Sequence, residues 1–159
     1  MGRSHLAVFS VLVSILATNV SVAWAENLPK SAKPMSAEEV RSLYSGKSAI
    51  WGADARAFFA SDGSVIGYNT KENVTFSGSW TVSSNRNCMN IAWKAIKSSK
   101  SGKSSDCWDW YKDGKKIWGF WSVRYDGSKP KKGDYDQGEM KTLKAGDKVS
   151  KGYAKLTKP

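Results

Sequence analysis

The sequence predicts a mainly β domain with one short N-terminal helix. The sheet is expected to be an antiparallel meander, forming either a small barrel, calycin-like forms included, or a strongly curled sheet. Three observations carry that prediction. Phe76, Gly78, Trp80 and Val82 alternate with Ser77, Ser79, Thr81 and Ser83, and Met89, Ile91, Trp93 and Ala95 repeat the pattern, which is the period-two signature of half-buried strands. Turn-forming residues separate such runs at short intervals. A single helical pattern precedes them.

Residues 1–25 read as a signal peptide. Arg3 supplies a positive start, Leu6 to Ala17 is almost wholly apolar, and Ala23-Trp24-Ala25 places small residues where a signal peptidase reads. The apolar run is shorter than the roughly 20 residues of a spanning helix and fades into Thr18, Asn19 and Ser21. The expected product is periplasmic or secreted, with no transmembrane segment after cleavage. Removing 25 of 159 residues leaves 134, the size of one domain. Cleavage also removes His5, the only histidine, and export places Cys88 and Cys107 in an oxidising compartment.

Residues 26–35 form a leader containing Pro29 and Pro34, and a single globular β-rich domain follows over 36–159. Ser36 and Glu39 make a capping box, Val40, Leu43 and Tyr44 give a narrow apolar stripe, and Gly46 offers a left-handed exit, so the helix ends near Ser45. Phe58-Phe59-Ala60 and Val65 to Tyr68 flank the turn tetrad Ser61-Asp62-Gly63-Ser64, which predicts a hairpin. Ser98 to Ser105, nearly all serine, lysine and glycine, reads as a mobile loop.

In the segment Asp106 to Arg124, a type I′ turn at Asp113-Gly114 pairs Lys112 with Lys115, Trp110 with Ile117 and Trp108 with Gly119. One face then carries Trp108, Trp110, Ile117, Gly119, Trp121 and Val123 and is expected to be core. The other carries Cys107, Asp109, Tyr111, Trp118 and Phe120, and is expected to be partly wet or a site. Asp126 to Gly138 is a polar connection. Strands are expected near Glu139 to Leu143 and after Lys148, with a fraying terminus past Gly152.

The mature chain retains 24 basic and 14 acidic residues, a net charge of +10, and twenty of its cations are lysines. Lysine is a hydrated point charge, so this surface favours diffuse attraction to anions over shaped phosphate recognition. Two cysteines in an exported chain predict one structural Cys88–Cys107 disulfide. Lys94, Lys97, Lys100 and Lys103 lie inside the loop it closes, with no acid between Cys88 and Asp106. These four lysines and Trp118 are the candidate ligand-contacting residues. Trp80, Trp93, Trp108, Trp110 and Trp121 fall on apolar faces and read as core, while Trp51 is unassigned.

No catalytic residues, metal ligands or cofactor sites are assigned. A mature chain without histidine has no histidine-based triad, and a bridged cysteine is not a nucleophile. Gly46-Lys47-Ser48 and Gly102-Lys103-Ser104 lack the upstream glycine of a phosphate loop. Pro130 breaks the Ser128/Lys131 spacing, and no acid closes a calcium loop begun by Asp134 and Asp136. A carboxylate-only hydrolase built on Asp106 and Asp109 is the residual enzymatic reading.

Pro34 to Val40, Leu43 to Lys47, the Phe59 to Gly63 turn, Gly78-Ser79-Trp80, Cys88, Cys107-Trp108 and Trp121-Ser122-Val123 together resemble the exported bacterial proteins grouped as domain of unknown function family 995. The resemblance implies export and one compact domain and brings no activity, cofactor or catalytic residue. The expected function is non-enzymatic binding of an anionic envelope lipid or glycan through the lysine-rich loop, without nucleic acid. The alternatives are an apolar small-ligand carrier with a barrel cavity and an inhibitor of a secreted enzyme acting on a protein partner.

Overall fold

The computed structural model describes residues 27–158, so the expected signal peptide lies outside the described residues. In chain order the elements are β1 (Lys33–Pro34), α1 (Ala37–Tyr44), β2 (Lys47–Trp51), β3 (Ala55–Phe59), β4 (Ser64–Asn69), β5 (Val74–Ser83) and β6 (Arg86–Ala95). They continue with β7 (Ser101–Asp113), β8 (Lys116–Val123), β9 (Tyr135–Asp136), α2 (Glu139–Thr142), β10 (Leu143–Ala145) and α3 (Ser150–Leu156). All ten strands belong to one antiparallel sheet, curled as a half-barrel, in the order β10-β2-β3-β4-β5-β6-β7-β8-β9. β1, from the expected leader, pairs with Tyr111 and Lys112 of β7, beyond the point where β6 stops.

The two edges of the sheet are not paired with each other, but the chain crosses from one to the other. β9 ends at Asp136 and β10 starts at Leu143, so only residues 137–142 separate the opposite edges. α2 occupies that crossing and touches both β2 and β8. The sheet is therefore shut along this seam by side chains, not by a ladder of backbone hydrogen bonds.

α1 has the expected capping box. Ser36 Oγ accepts from Glu39 N at 3.2 Å, and Glu39 Oε2 accepts from Ser36 N at 2.9 Å. Its Val40, Leu43 and Tyr44 are buried and close one end of the curl. The Tyr44 ring meets Phe59 edge-on at 4.8 Å and Trp110 at 5.9 Å, and Phe59 meets Trp80 at 5.9 Å. These aromatics, with Val65 and Ala57, are the solid part of the core.

Several sequence expectations require correction. The stretch Ser98 to Ser105 is a loop only as far as Lys100: β7 begins at Ser101, with Ser101 opposite Lys94 and Lys103 opposite Ala92. Its small residues suit a strand because the Trp93 indole lies on Gly102, where an added Cβ would come within 2.8 Å of the ring. The β7–β8 turn is Gly114-Lys115, which places Lys112 opposite Ile117, Trp110 opposite Gly119 and Trp108 opposite Trp121. Gly114, at φ +56°, supplies the positive φ that a type II′ turn needs at its first central residue. The pairing is displaced by two residues, an even number, so the assigned faces survive. They survive only as far as Trp121, because a bulge at Ser122 turns Val123 outward and leaves it exposed.

The C-terminal region also differs from expectation. Glu139–Thr142 is a helical turn, with the strand displaced to Leu143–Ala145, and Ser150–Leu156 is a helix. Gly152 lets that helix approach β4, since a Cβ there would sit 2.7 Å from Tyr68 Oη.

Candidate cavity and its two buried carboxyls

α1 plugs one end of the curl. At the other end, where the β2–β3, β4–β5 and β6–β7 turns lie, the interior is open as a cavity of about 580 Å³, a volume in the usual range for small-molecule sites. Its walls are aromatic and aliphatic: Trp51 from β2, Val74 and Phe76 from β5, Met89, Ile91 and Trp93 from β6, Trp108 from β7 and Trp121 from β8. Three of the five indoles expected as core, those of Trp93, Trp108 and Trp121, thus line this space, whereas Trp80 and Trp110 are fully packed. Trp108 and Trp121 stack across the ladder, their planes nearly parallel, with centroids 5.8 Å apart.

Two acids enter this apolar room. On β7 the inward series runs Gly102, Ser104, Asp106, Trp108, Trp110, so Asp106 shares the face of the indoles. Glu139 comes from α2 at the seam and is 4% exposed. Trp51 Nε1 donates to both Glu139 carboxyl oxygens at 3.0 Å, and Trp121 Nε1 donates to Asp106 Oδ1.

Burial pushes the Asp106 pKa up to about 6, against the indole hydrogen bond, with repulsion from Asp126 adding to the rise. Burial likewise raises Glu139 to about 7; the Trp51 hydrogen bond opposes this, and repulsion from Asp106 and Asp136 reinforces it. The three ion pairs among the described residues, Arg86–Asp109, Lys112–Glu39 and Arg124–Asp134, leave both acids out.

A smaller recess of about 10 Å³, the size of one water, continues from the floor toward Tyr44, Phe59 and Asn87. Tyr44 and Asn87 line this recess, and the Tyr44 hydroxyl, the Asn87 carbonyl oxygen and the Trp110 indole nitrogen are all buried, with Asn87 and Trp110 partly offsetting the effect of burial on the hydroxyl. Burial holds the Tyr44 hydroxyl well above its ordinary pKa, so it stays protonated.

The rim is polar. Tyr125, which is 47% exposed, donates from its hydroxyl to Glu72 Oε1 at 2.9 Å, linking the segment after β8 to the β4–β5 turn across the mouth. Arg124 lies 4.8 Å over the Trp121 ring and donates to Asp134 at 3.0 Å. Of the two loop aspartates, Asp134 accepts from Arg124 and Asp136 accepts from Gly138 N.

The candidate residues from the sequence divide. Lys94, Lys97 and Lys100 are exposed at the tip of the β6–β7 hairpin, and Lys103 belongs to the cavity lining. Trp118 is away from the cavity and buried, because Tyr135 of β9 covers the outer face of this hairpin through Tyr111 and Phe120. Cys88 and Cys107 are cross-strand partners joined by a disulfide on the outer face. Asp106 and Asp109 point to opposite faces, and Arg86 donates to Asp109 at 2.8 Å, so the structure does not bring these two carboxyls together. The acid that accompanies Asp106 is Glu139, 33 residues further on, which the sequence reading assigned to a strand.

Over residues 12–149 the chain matches a family model described as "Protein of unknown function (DUF995)". No curated protein and no solved structure matches it.

Proposed function

We propose that this chain, which belongs to the DUF995 family of proteins of unknown function, is an exported, non-enzymatic carrier that holds a small, largely apolar ligand inside its curled sheet. The observation that carries this reading is the cavity of about 580 Å³, walled mainly by indole, phenyl and aliphatic groups at the end of the sheet opposite α1. Apolar walls in a half-open fold are costly to leave wet, and a ligand that buries them recovers roughly 25 cal/mol per Å² of apolar contact. The test uses N-phenylnaphthylamine, which brightens in apolar surroundings. The parent should bind it with little dependence on salt. Ser104→Phe, which places a ring in the lining between Gly102 and Asp106, should lose the dye while keeping its melting temperature. Equal dye binding by parent and variant would refute a cavity site.

The lysines support a second, compatible role. Lys94, Lys97 and Lys100 stand at the same end as the cavity mouth, so attraction to an anionic envelope surface would bring the opening against it. Replacing Lys97, Lys100 and Lys103 with glutamine should weaken binding to anionic vesicles by up to about 3 kcal/mol at low salt, near 1 kcal/mol for each charge. Unchanged vesicle binding would reduce these lysines to a solubilising coat.

A further inference from the structure

We propose that the ligand carries a primary ammonium group on its apolar body, and that this group seats between Asp106 and Glu139 on the cavity floor. The inference rests on the carrier reading and names the chemistry of what is carried. Its first support is a reversal of charge. The whole chain has a net charge of +11, yet the cavity lining holds three acids, Glu72, Asp106 and Glu139, and one cation, Lys103. Lys103 alternates outward with Ser105 and Cys107 along β7, so it stands at the mouth and not over the floor.

The second support is unfilled capacity. A carboxylate offers about four acceptor positions, and these are only partly used: Trp121 serves Asp106, while Trp51, shared between both oxygens, and Thr142 serve Glu139. Glu139 is buried and Asp106 half-buried; acids so withdrawn from water are ordinarily paired with a cation, and no ion pair among the described residues includes either one. An ammonium group brings three donors and one positive charge, which answers both deficits. An anionic head group would meet repulsion from Asp106 and Glu139 together, and a neutral hydroxyl would leave the charge unanswered.

The third support is the wall. The indoles of Trp51, Trp93, Trp108 and Trp121 surround the floor acids, and the faces of such rings attract cations while accepting the apolar body. The sheet wall and the seam each supply one acid, Asp106 from β7 and Glu139 from α2, so a bound ammonium would also tie the seam to the wall.

The experiment is isothermal titration of the disulfide-bonded mature chain with phenylbutylamine, phenylbutanol and phenylbutanoate, which share one frame and differ only in head group. At about pH 8 the amine should bind about tenfold or more tighter than the alcohol, as charge-assisted hydrogen bonds imply, and the acid should bind most weakly. Asp106→Asn and Glu139→Gln should each erase most of the amine's advantage and leave phenylbutanol unchanged. The alcohol reports whether a variant still has its cavity. Should a variant lose the alcohol too, the parent's pH profile decides. Lowering the pH to about 5 protonates Asp106 and Glu139, so amine affinity should fall while alcohol affinity holds. The other charged or titratable groups around this pair are Glu72, Lys103 and Tyr125 of the lining, with Tyr44, Asp126 and Asp136 behind it, and both tyrosines stay protonated over that interval. Equal binding of the three probes, preference for the acid, or a pH-independent amine would overturn the amine assignment and leave the carrier standing. Failure of all three together with N-phenylnaphthylamine would overturn both.

Discussion

Replacing Glu139 with glutamine is expected to stabilise the protein above neutral pH. The glutamine carbonyl can still accept from Trp51 Nε1, so the change removes a charge and little else. In the folded chain the carboxyl has a pKa of about 7, against 4.5 for the ordinary group. The folded state therefore holds a proton that the unfolded state has already released. Stability must fall as pH rises from about 4.5 to about 7 and level off above that. Each pKa unit corresponds to about 1.4 kcal/mol, so the ionised carboxyl costs on the order of 3 kcal/mol at pH 8, and the variant recovers that amount. At pH 4 both states are protonated and the two proteins should be nearly equal. Asp106, raised to about 6, adds a fall of similar size that both proteins share. Urea unfolding at about pH 4, 6 and 8 measures all of this. A parent whose stability rises between pH 5 and 8, or a Glu139→Gln variant less stable than the parent at pH 8, would refute the burial argument.

Other expectations follow from the same geometry. Trp110→Ala and Trp118→Ala should each cost about 3 to 5 kcal/mol by chemical denaturation, because both faces of the β7–β8 hairpin are covered; a cost below 1 kcal/mol at Trp118 would contradict its burial. Replacing Cys88 and Cys107 together with serine should lower stability by about 3 kcal/mol, as expected for a 19-residue separation, and non-reducing peptide mapping should recover the two linked. Intact-mass measurement of exported material should show a chain starting at Glu26; a product retaining Leu6 to Ala17 would remove the case for export.

The strand alternations, the capping box and the Asp62-Gly63 turn were legible because each is a local pattern that few conformations satisfy. The cavity was not. An inward-facing Trp93 or Trp108 has the same period whether it meets another side chain or an empty interior, so periodicity reports a face and not what fills it. One signal was available: continuing the alternation from Trp110 and Trp108 places Asp106 on the apolar face, an anomaly that marks a site more surely than any lysine did. Glu139 carried no such sign. Its burial depends on the chain crossing from one sheet edge to the other, a fact of tertiary closure that a four-residue helix does not advertise. Ser101 to Ser105, the strand part of the expected loop, misled for the opposite reason. Composition argued for a loop, but the long neighbouring strand β6 and the stacking of Trp93 on Gly102 overrode it.

The seam also sets an order of assembly. From β2 to β8 each strand joins its neighbour in sequence, so that part can zip together hairpin by hairpin. The β10–β2 contact is different. Ser48 Oγ donates to Gly146 O and accepts from Lys148 N, partners 98 and 100 residues away. Bringing ends so distant together costs about 2 kcal/mol more loop entropy than closing a ten-residue turn, and such non-local contacts form late. Glu139 arrives with this last segment, so the cavity's floor is completed only when the rest of the wall already stands. A molecule captured during that interval would be enclosed as the final strand docks, without having to pass the Tyr125–Glu72 rim.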